Sequence, residues 1–181
     1  DYAIITGNVV STTGDDAIRM ASNFETVAGN AIRNWGGNDA GINCEASYAS
    51  IVGNTLDGTS NSQAGILVST ENDLVIMGNN VKNVTQDGLQ ILGSDYICIA
   101  GNVVTNNTDY AIDLAGSTNC LITGNTLLNN GGTIQNNTGD GNKVYANNTG
   151  TDETFQLVGT TADTMITIDN PDGTYEANLS I

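Results

Sequence analysis

A six-residue phrase, aliphatic-x-Gly-Asn-x-aliphatic, returns along almost the whole of this 181-residue chain. Its copies span Ile5 to Val10, Val27 to Ile32, Ile51 to Leu56, Ile76 to Val81, Ile99 to Val104 and Ile122 to Leu127. A worn seventh runs from Val144 to Thr149, with Ala146 in place of the glycine. The glycine positions are 22, 24, 25, 23, 23 and 22 residues apart. Self-similarity at such a period marks a solenoid, in which each repeat can bury its apolar face only against the next.

Two short alternating runs fill each repeat, and neither is long enough for a helix. Position by position they give four aliphatic columns. The first is Ile5, Val27, Ile51, Ile76, Ile99, Ile122 and Val144; the second is Val10, Ile32, Leu56, Val81, Val104, Leu127 and Thr149. The third is Ile18, Ile42, Ile66, Leu89, Ile112, Ile134 and Phe155, and the fourth is Met20, Cys44, Val68, Ile91, Leu114, Asn136 and Leu157. Parallel stacking at the spacing of adjacent strands, about 4.8 Å, would turn each column into a continuous buried row. Residues 1–158 therefore read as one repeat domain. Residues 159–181 depart from the pattern, with alternation around Met165 to Ile168 and a turn at Asn170-Pro171-Asp172-Gly173, and read as capping strands over an otherwise open end.

Glycine permits a positive φ at a sharp corner, and asparagine also tolerates one. The asparagines after the glycines (Asn8, Asn30, Asn54, Asn79, Asn102, Asn125, Asn147) should stack as an amide ladder that satisfies the polar groups of a buried bend. Tyr2, Phe24, Tyr48 and Tyr96, each five residues ahead of a glycine, form a second stack that reads as packing.

The phrase Ile-x-Gly-Asn-x-Val, followed by Gly41-Ile42-Asn43-Cys44, Gly65-Ile66-Leu67-Val68 and Gly88-Leu89-Gln90-Ile91, resembles the right-handed parallel β-helix repeat. That repeat occurs in pectate-lyase-like proteins, mannuronan epimerases, copper-site maturation proteins and phage tailspikes. The resemblance covers about residues 1–158 and implies an all-β, right-handed, single-stranded parallel β-helix of about seven coils with a C-terminal β cap. It leaves function open, because one fold hosts many chemistries.

Charge narrows the partners. Four Lys and Arg against 20 Asp and Glu give a net charge of −16, so no basic patch can be built for nucleic acid or an anionic membrane surface. Polyanions would need a divalent cation such as Ca2+ as a bridge, and the acidity also serves solubility. No apolar run approaches the roughly 20 residues of a spanning helix, so membrane insertion is not expected. The chain opens without Met, inside a repeat and without a signal peptide, which reads as a mature or cut piece of something longer. Cys44, Cys98 and Cys120 have no metal spacing and histidine is absent, so the cysteines read as small buried hydrophobes and no metal site or other cofactor is expected. A Cys98–Cys120 bridge between adjacent coils is out of phase by one position.

The turn before the second alternating run is lengthened at Asn34 to Asp39 and at Asp57 to Gln63, and loops on one side of a solenoid often form its binding face. Here Asp15, Asp16 and Asp39 with Arg19 form the best catalytic constellation, because clustered carboxylates can share acid and base roles or bind a divalent cation. Trp35, Tyr48, Asn43 and Glu45 are the carbohydrate-contacting candidates on the same patch, the rings by covering apolar sugar faces. The corner stays acidic at Asp87, Asp109 and Asp152-Glu153, which Asp's turn preference explains without catalysis. Gly14-Asp15-Asp16 and Asn107-Thr108-Asp109 resemble polygalacturonase fragments, but in the wrong order and without that family's histidine and Arg-x-Lys motifs. The Asp-Pro-His-Glu string of the epimerases is absent too.

Three functions are compatible with these residues. The first is a non-catalytic rod of an extracellular, cell-surface or virion protein that contacts glycans. The second is a polysaccharide lyase or glycoside hydrolase working at the acidic corner. The third is a homo-oligomeric or end-to-end stacked filament subunit.

Overall fold

A computed structural model describes residues 2–58, 62–135, 141–144 and 149–150. Among these the protein is an all-β solenoid of stacked coils, with every strand pairing parallel to its counterparts one coil away. Each coil carries three short strands rather than two runs, because the Gly-Asn corner splits the first run. One seven-stranded sheet contains Ile4–Thr6, Thr26–Ala28, Ser50–Val52, Val75–Met77, Cys98–Ala100, Leu121–Thr123 and Lys143–Val144. A second, also of seven strands, begins with Val9–Ser11 and Ala31–Arg33 and ends with Thr149–Gly150. The third has six strands, from Ile18–Met20 through Ala40–Cys44, Ala64–Ser69, Asp87–Leu92 and Tyr110–Asp113 to Gly132–Gln135. That makes six complete turns and the start of a seventh.

The register follows the aliphatic columns. Ile76 pairs with both Ile51 and Ile99, and Ile66 pairs with both Ile42 and Leu89. Val27, Ile51, Ile76, Ile99 and Ile122 are wholly buried, as are Leu56, Val81 and Val104 in the second column and Ile42, Ile66, Leu89 and Ile112 in the third. Each such side chain contributes roughly 1.5–3 kcal/mol of transfer free energy, so the columns are the main source of stability. The second column departs from expectation at its last rung, where Leu127 pairs with Gly150 and not Thr149. Val144 is in register with Ile122, so the worn copy holds one extra residue between its two strands. Phe155, Leu157, Asn136, Asn147 and the capping strands 159–181 lie outside the described residues.

The corner glycines Gly7, Gly29, Gly53, Gly78, Gly101 and Gly124 all adopt φ between 63° and 69°, the left-handed region that a Cβ disfavours. The asparagine ladder forms as expected from Asn8 to Asn125. Asn54 Nδ2 donates to Asn79 Oδ1 at 3.0 Å, and Asn79 Nδ2 does the same to Asn102 Oδ1. Each Oδ1 also accepts the backbone N–H of the preceding rung, 2.9 Å for Asn54 N to Asn79. At the next corner Asn107 and Asn130 build a shorter ladder, with Asn107 Nδ2 donating to Asn130 Oδ1 at 2.9 Å. Asn107 is therefore a buried corner residue, and its polygalacturonase-like string has a structural role.

The cysteines are free. Cys98 pairs with Leu121, so Cys120 sits one residue earlier than the partner a bridge would need.

Candidate functional site

The turn into the third sheet brings Asp15, Asp16 and Asp39 together. One carboxylate oxygen from each lies within 4.8 Å of the others. Close backbone contact between two coils produces this. Gly36 N–H donates to Asp15 O, and a Cβ at Gly36 would lie 2.6 Å from Asp39 Oδ2 and 2.7 Å from the carbonyl carbon of Gly14. Only a glycine lets the inserted loop press down onto the first coil. Burial pushes the Asp39 carboxyl above its ordinary value, and the charges of Asp15 and Asp16 push the same way.

Most of the remaining donors and acceptors at this corner are engaged in joining coils. Asp16 Oδ1 accepts the Ala40 N–H at 2.8 Å, and its Oδ2 accepts Asn43 Nδ2 at 2.8 Å. Arg19 faces solvent from the outer side of the third sheet and pairs with Glu45 at 2.6 Å. The hydrogen bond to Glu45, with its charge, raises the guanidinium further. Asp15 Oδ1 accepts the N–H of Asp16 at 2.9 Å, a local Asx contact. Asp15, Asp16, Asp39, Arg19, Asn43 and Glu45 thus share one surface.

The two aromatic candidates do not join them. Trp35 is only 4% exposed and belongs to the core, so it offers no face to a sugar ring. Its ring descends beside Gly41, where an added Cβ would come within 3.3 Å of Trp35 Cη2. Tyr48 is 54% exposed, but it lies in the turn beyond the third sheet, past Glu45, and stacks on Phe24 with centroids 5.1 Å apart and planes at 13°.

The same corner holds a second acidic group further along the rod. Asp87 repeats the Asp16 device: its Oδ1 accepts the Tyr110 N–H at 3.0 Å and its Oδ2 accepts Gln90 Nε2 at 2.9 Å. Unlike Asp16 it is buried, and desolvation pushes its carboxyl up to about 6 against the Tyr110 bond. Asp113, in register with Gln90, is also buried and raised by desolvation, with Asp109 adding to the effect. Asp113 was not legible as special, because its outward position in the strand reads as solvent-facing.

The family model described as the periplasmic copper-binding protein (NosD) matches residues 1–176. No curated protein matches the sequence. Among solved structures, the Dettilon tailspike protein is 14% identical with a TM-score of 0.33. That alignment covers 82% of this chain and 54% of the tailspike, so the chain spans about half that protein's length.

Proposed function

This chain belongs to the periplasmic copper-binding protein (NosD) family, and on that footing we propose that it serves outside the cytoplasm as a rigid, non-catalytic β-solenoid rod that contacts glycans. The observation that carries the proposal is the engagement of the acidic corner in coil-to-coil bonds. Both Asp16 oxygens and the Arg19 guanidinium already have protein partners, so two of the four candidate catalytic groups serve contacts between the first two coils. A latch of this kind would hold an inserted loop against the stack and leave the charged Arg19 and Glu45 side chains on the outer surface beside it.

Copper does not fit the described residues. The sequence has no histidine, and burial pushes the Cys44 and Cys120 thiols up to about 12 and about 11, far from the thiolate a soft metal needs. Cys98 and Met77 share the outer face of the first sheet, but Cys98 is opposite Val75 and Met77 opposite Ala100. The acidic corner offers hard oxygen donors, which suit calcium or magnesium rather than copper. No step through copper is derived for this chain.

The raised Asp39 carboxyl beside Asp15 is the one observation that favours a carbohydrate-active enzyme instead. One experiment separates the two. Incubated with a panel of neutral and acidic polysaccharides, the protein should release no reducing ends and no unsaturated product. Depolymerisation that disappears in the double variant Asp15→Ala/Asp39→Ala would replace the rod with an enzyme.

A further inference from the structure

The corner between the third sheet and the next coil requires a left-handed residue once per turn. Phe24, Tyr48, Asp73, Tyr96 and Asn119 occupy it with φ of 65°, 57°, 58°, 57° and 53°. Asp and Asn adopt this conformation readily, whereas a bulky aromatic residue there is a steric outlier. Three coils nonetheless carry an aromatic ring, and all three rings are exposed: 47% for Phe24, 54% for Tyr48 and 59% for Tyr96.

Stacking explains only part of this column. Phe24 lies between Tyr2 and Tyr48, with centroid separations of 5.4 and 5.1 Å, so these rings support one another. Tyr96 has no ring contact among the described residues, because Asp73 and Asn119 occupy the rungs on either side. It adopts the costly conformation, remains exposed and gains no aromatic partner. Tyr48 is stacked on one face only, and its other side looks along the rod to the rung of Asp73.

Backbone rungs fix the spacing. Tyr48 N–H donates to Asn72 O at 3.0 Å, Asp73 N–H to Asp95 O at 3.1 Å and Tyr96 N–H to Thr118 O at 3.3 Å. Parallel bridges also join Asn72 to Asp95 and Asp95 to Thr118. Tyr48 and Tyr96 are therefore two coil rises apart, roughly 9–10 Å, with the exposed Asp73 between them. A group centred in that gap would be about 5 Å from each ring, inside the roughly 6 Å reach of a cation–π contact.

The charge around the gap selects the occupant. Glu71, Asp73 and Asp95 border it, while Arg19 and Lys82 are paired elsewhere, with Glu45 and Asp57. Glu71 accepts from Ser47 Oγ, and Asp95 accepts from Thr118 Oγ1 and Asn119 Nδ2. That leaves Asp73, an exposed residue on the rung between Tyr48 and Tyr96, as the carboxylate nearest the gap. We propose that Tyr48, Asp73 and Tyr96 form a cage for an organic cation, an alkylated ammonium or a guanidinium group. Two aromatic walls and an anionic floor suit a diffuse, weakly hydrated positive charge better than a neutral ring, and the chain's net charge of −16 draws such cations to it.

The test titrates the protein with choline, with Nα-acetyl-arginine amide, with 3,3-dimethylbutan-1-ol as the uncharged isostere of choline, and with methyl glucoside, following the tyrosine resonances by NMR. One or both cations should saturate and shift Tyr48 and Tyr96 while leaving Tyr2 unmoved. The tighter of the two identifies a quaternary headgroup or a basic side chain as the source. Tyr96→Asn, which places there the residue that the next coil carries at the same φ, should keep the fold by circular dichroism and weaken cation binding at least threefold. Asp73→Asn should weaken it similarly and reduce its salt dependence, whereas Tyr2→Asn should not change it. Absence of saturable cation binding would overturn the proposal. So would equally tight binding of the alcohol, a preference for the glucoside, or equal losses from Tyr2→Asn and Tyr96→Asn.

Discussion

At the scale of single residues, the ladder asparagines show how position along the rod sets the value of one chemical group. Asn79 is wholly surrounded: its Oδ1 accepts from Asn54 N and Nδ2, and its Nδ2 donates to Ile51 O and Asn102 Oδ1. Asn79→Ala leaves the Asn54 N–H buried without its partner and takes one of two donors from the Ile51 carbonyl, which keeps the Met77 N–H of the strand ladder, so a loss of about 1–3 kcal/mol is expected. Asn8 is the exposed first rung, and water can replace its bonds to Thr6 O and Asn30 Oδ1. Asn8→Ala should therefore lose less than about 1 kcal/mol. Urea unfolding of both variants checks this, and equal losses would mean that the amides act one by one and not as a buried ladder. The Asn8-to-Asn125 ladder was legible because one residue type recurs once per coil. The Asn107–Asn130 pair was not, since two rungs do not make a period. Trp35 was misplaced because Gly36, Gly37 and Asn38 give its loop a polar, projecting character, while the ring itself turns inward over Gly41.

At the scale of elements, strand assignment and register were readable from the four aliphatic columns, since a one-residue slip would send every core side chain outward. The burial of outward residues was not readable. In the strand Asp87–Leu92, Leu89 and Ile91 point inward as patterned, but Asp87 is buried as well, and Gln90 Oε1 is buried without a partner. Desolvation, the dominant cause, holds the Asp87 carboxyl at about 6, above an unfolded value near 3.9. The folded state thus binds this proton more tightly than the unfolded chain does. The penalty is absent below about pH 4, develops as pH rises through about 6, and is complete above it, amounting to on the order of 2–3 kcal/mol. Asp87→Asn removes the charge. The new amide can keep its oxygen on the Tyr110 N–H and, after a Gln90 flip, donate to the orphaned Oε1. Relative to the parent, the variant should gain stability between pH 4 and pH 7 by about that amount. A stability difference that stays constant across this range would show that Asp87 is not the titrating group.

At the scale of the whole molecule, each coil touches only its neighbours, so the rod should tolerate the loss of a complete period and reject the loss of a partial one. Deleting residues 78–100 joins Met77 to Gly101, and Met77 already pairs with Ala100, the residue before that glycine. Ile76 would then stack between Ile51 and Ile122, Ile66 against Ile112, and Asn54 against Asn102, with every column still aliphatic and the ladder still amide to amide. The shortened protein should fold and unfold in one transition, with a urea m-value lower by roughly one-seventh, in proportion to the surface it buries. Deleting residues 78–88 instead joins Met77 directly to Leu89. That removes the Gly-Asn corner and the second-sheet strand Asn80–Lys82, whose neighbours Thr55–Asp57 and Val103–Thr105 lose the strand between them. The shorter deletion should therefore be the more damaging one and abolish cooperative unfolding. If both deletions behaved alike, stability would be a property of composition, and the in-register stacking of whole coils would not be its source.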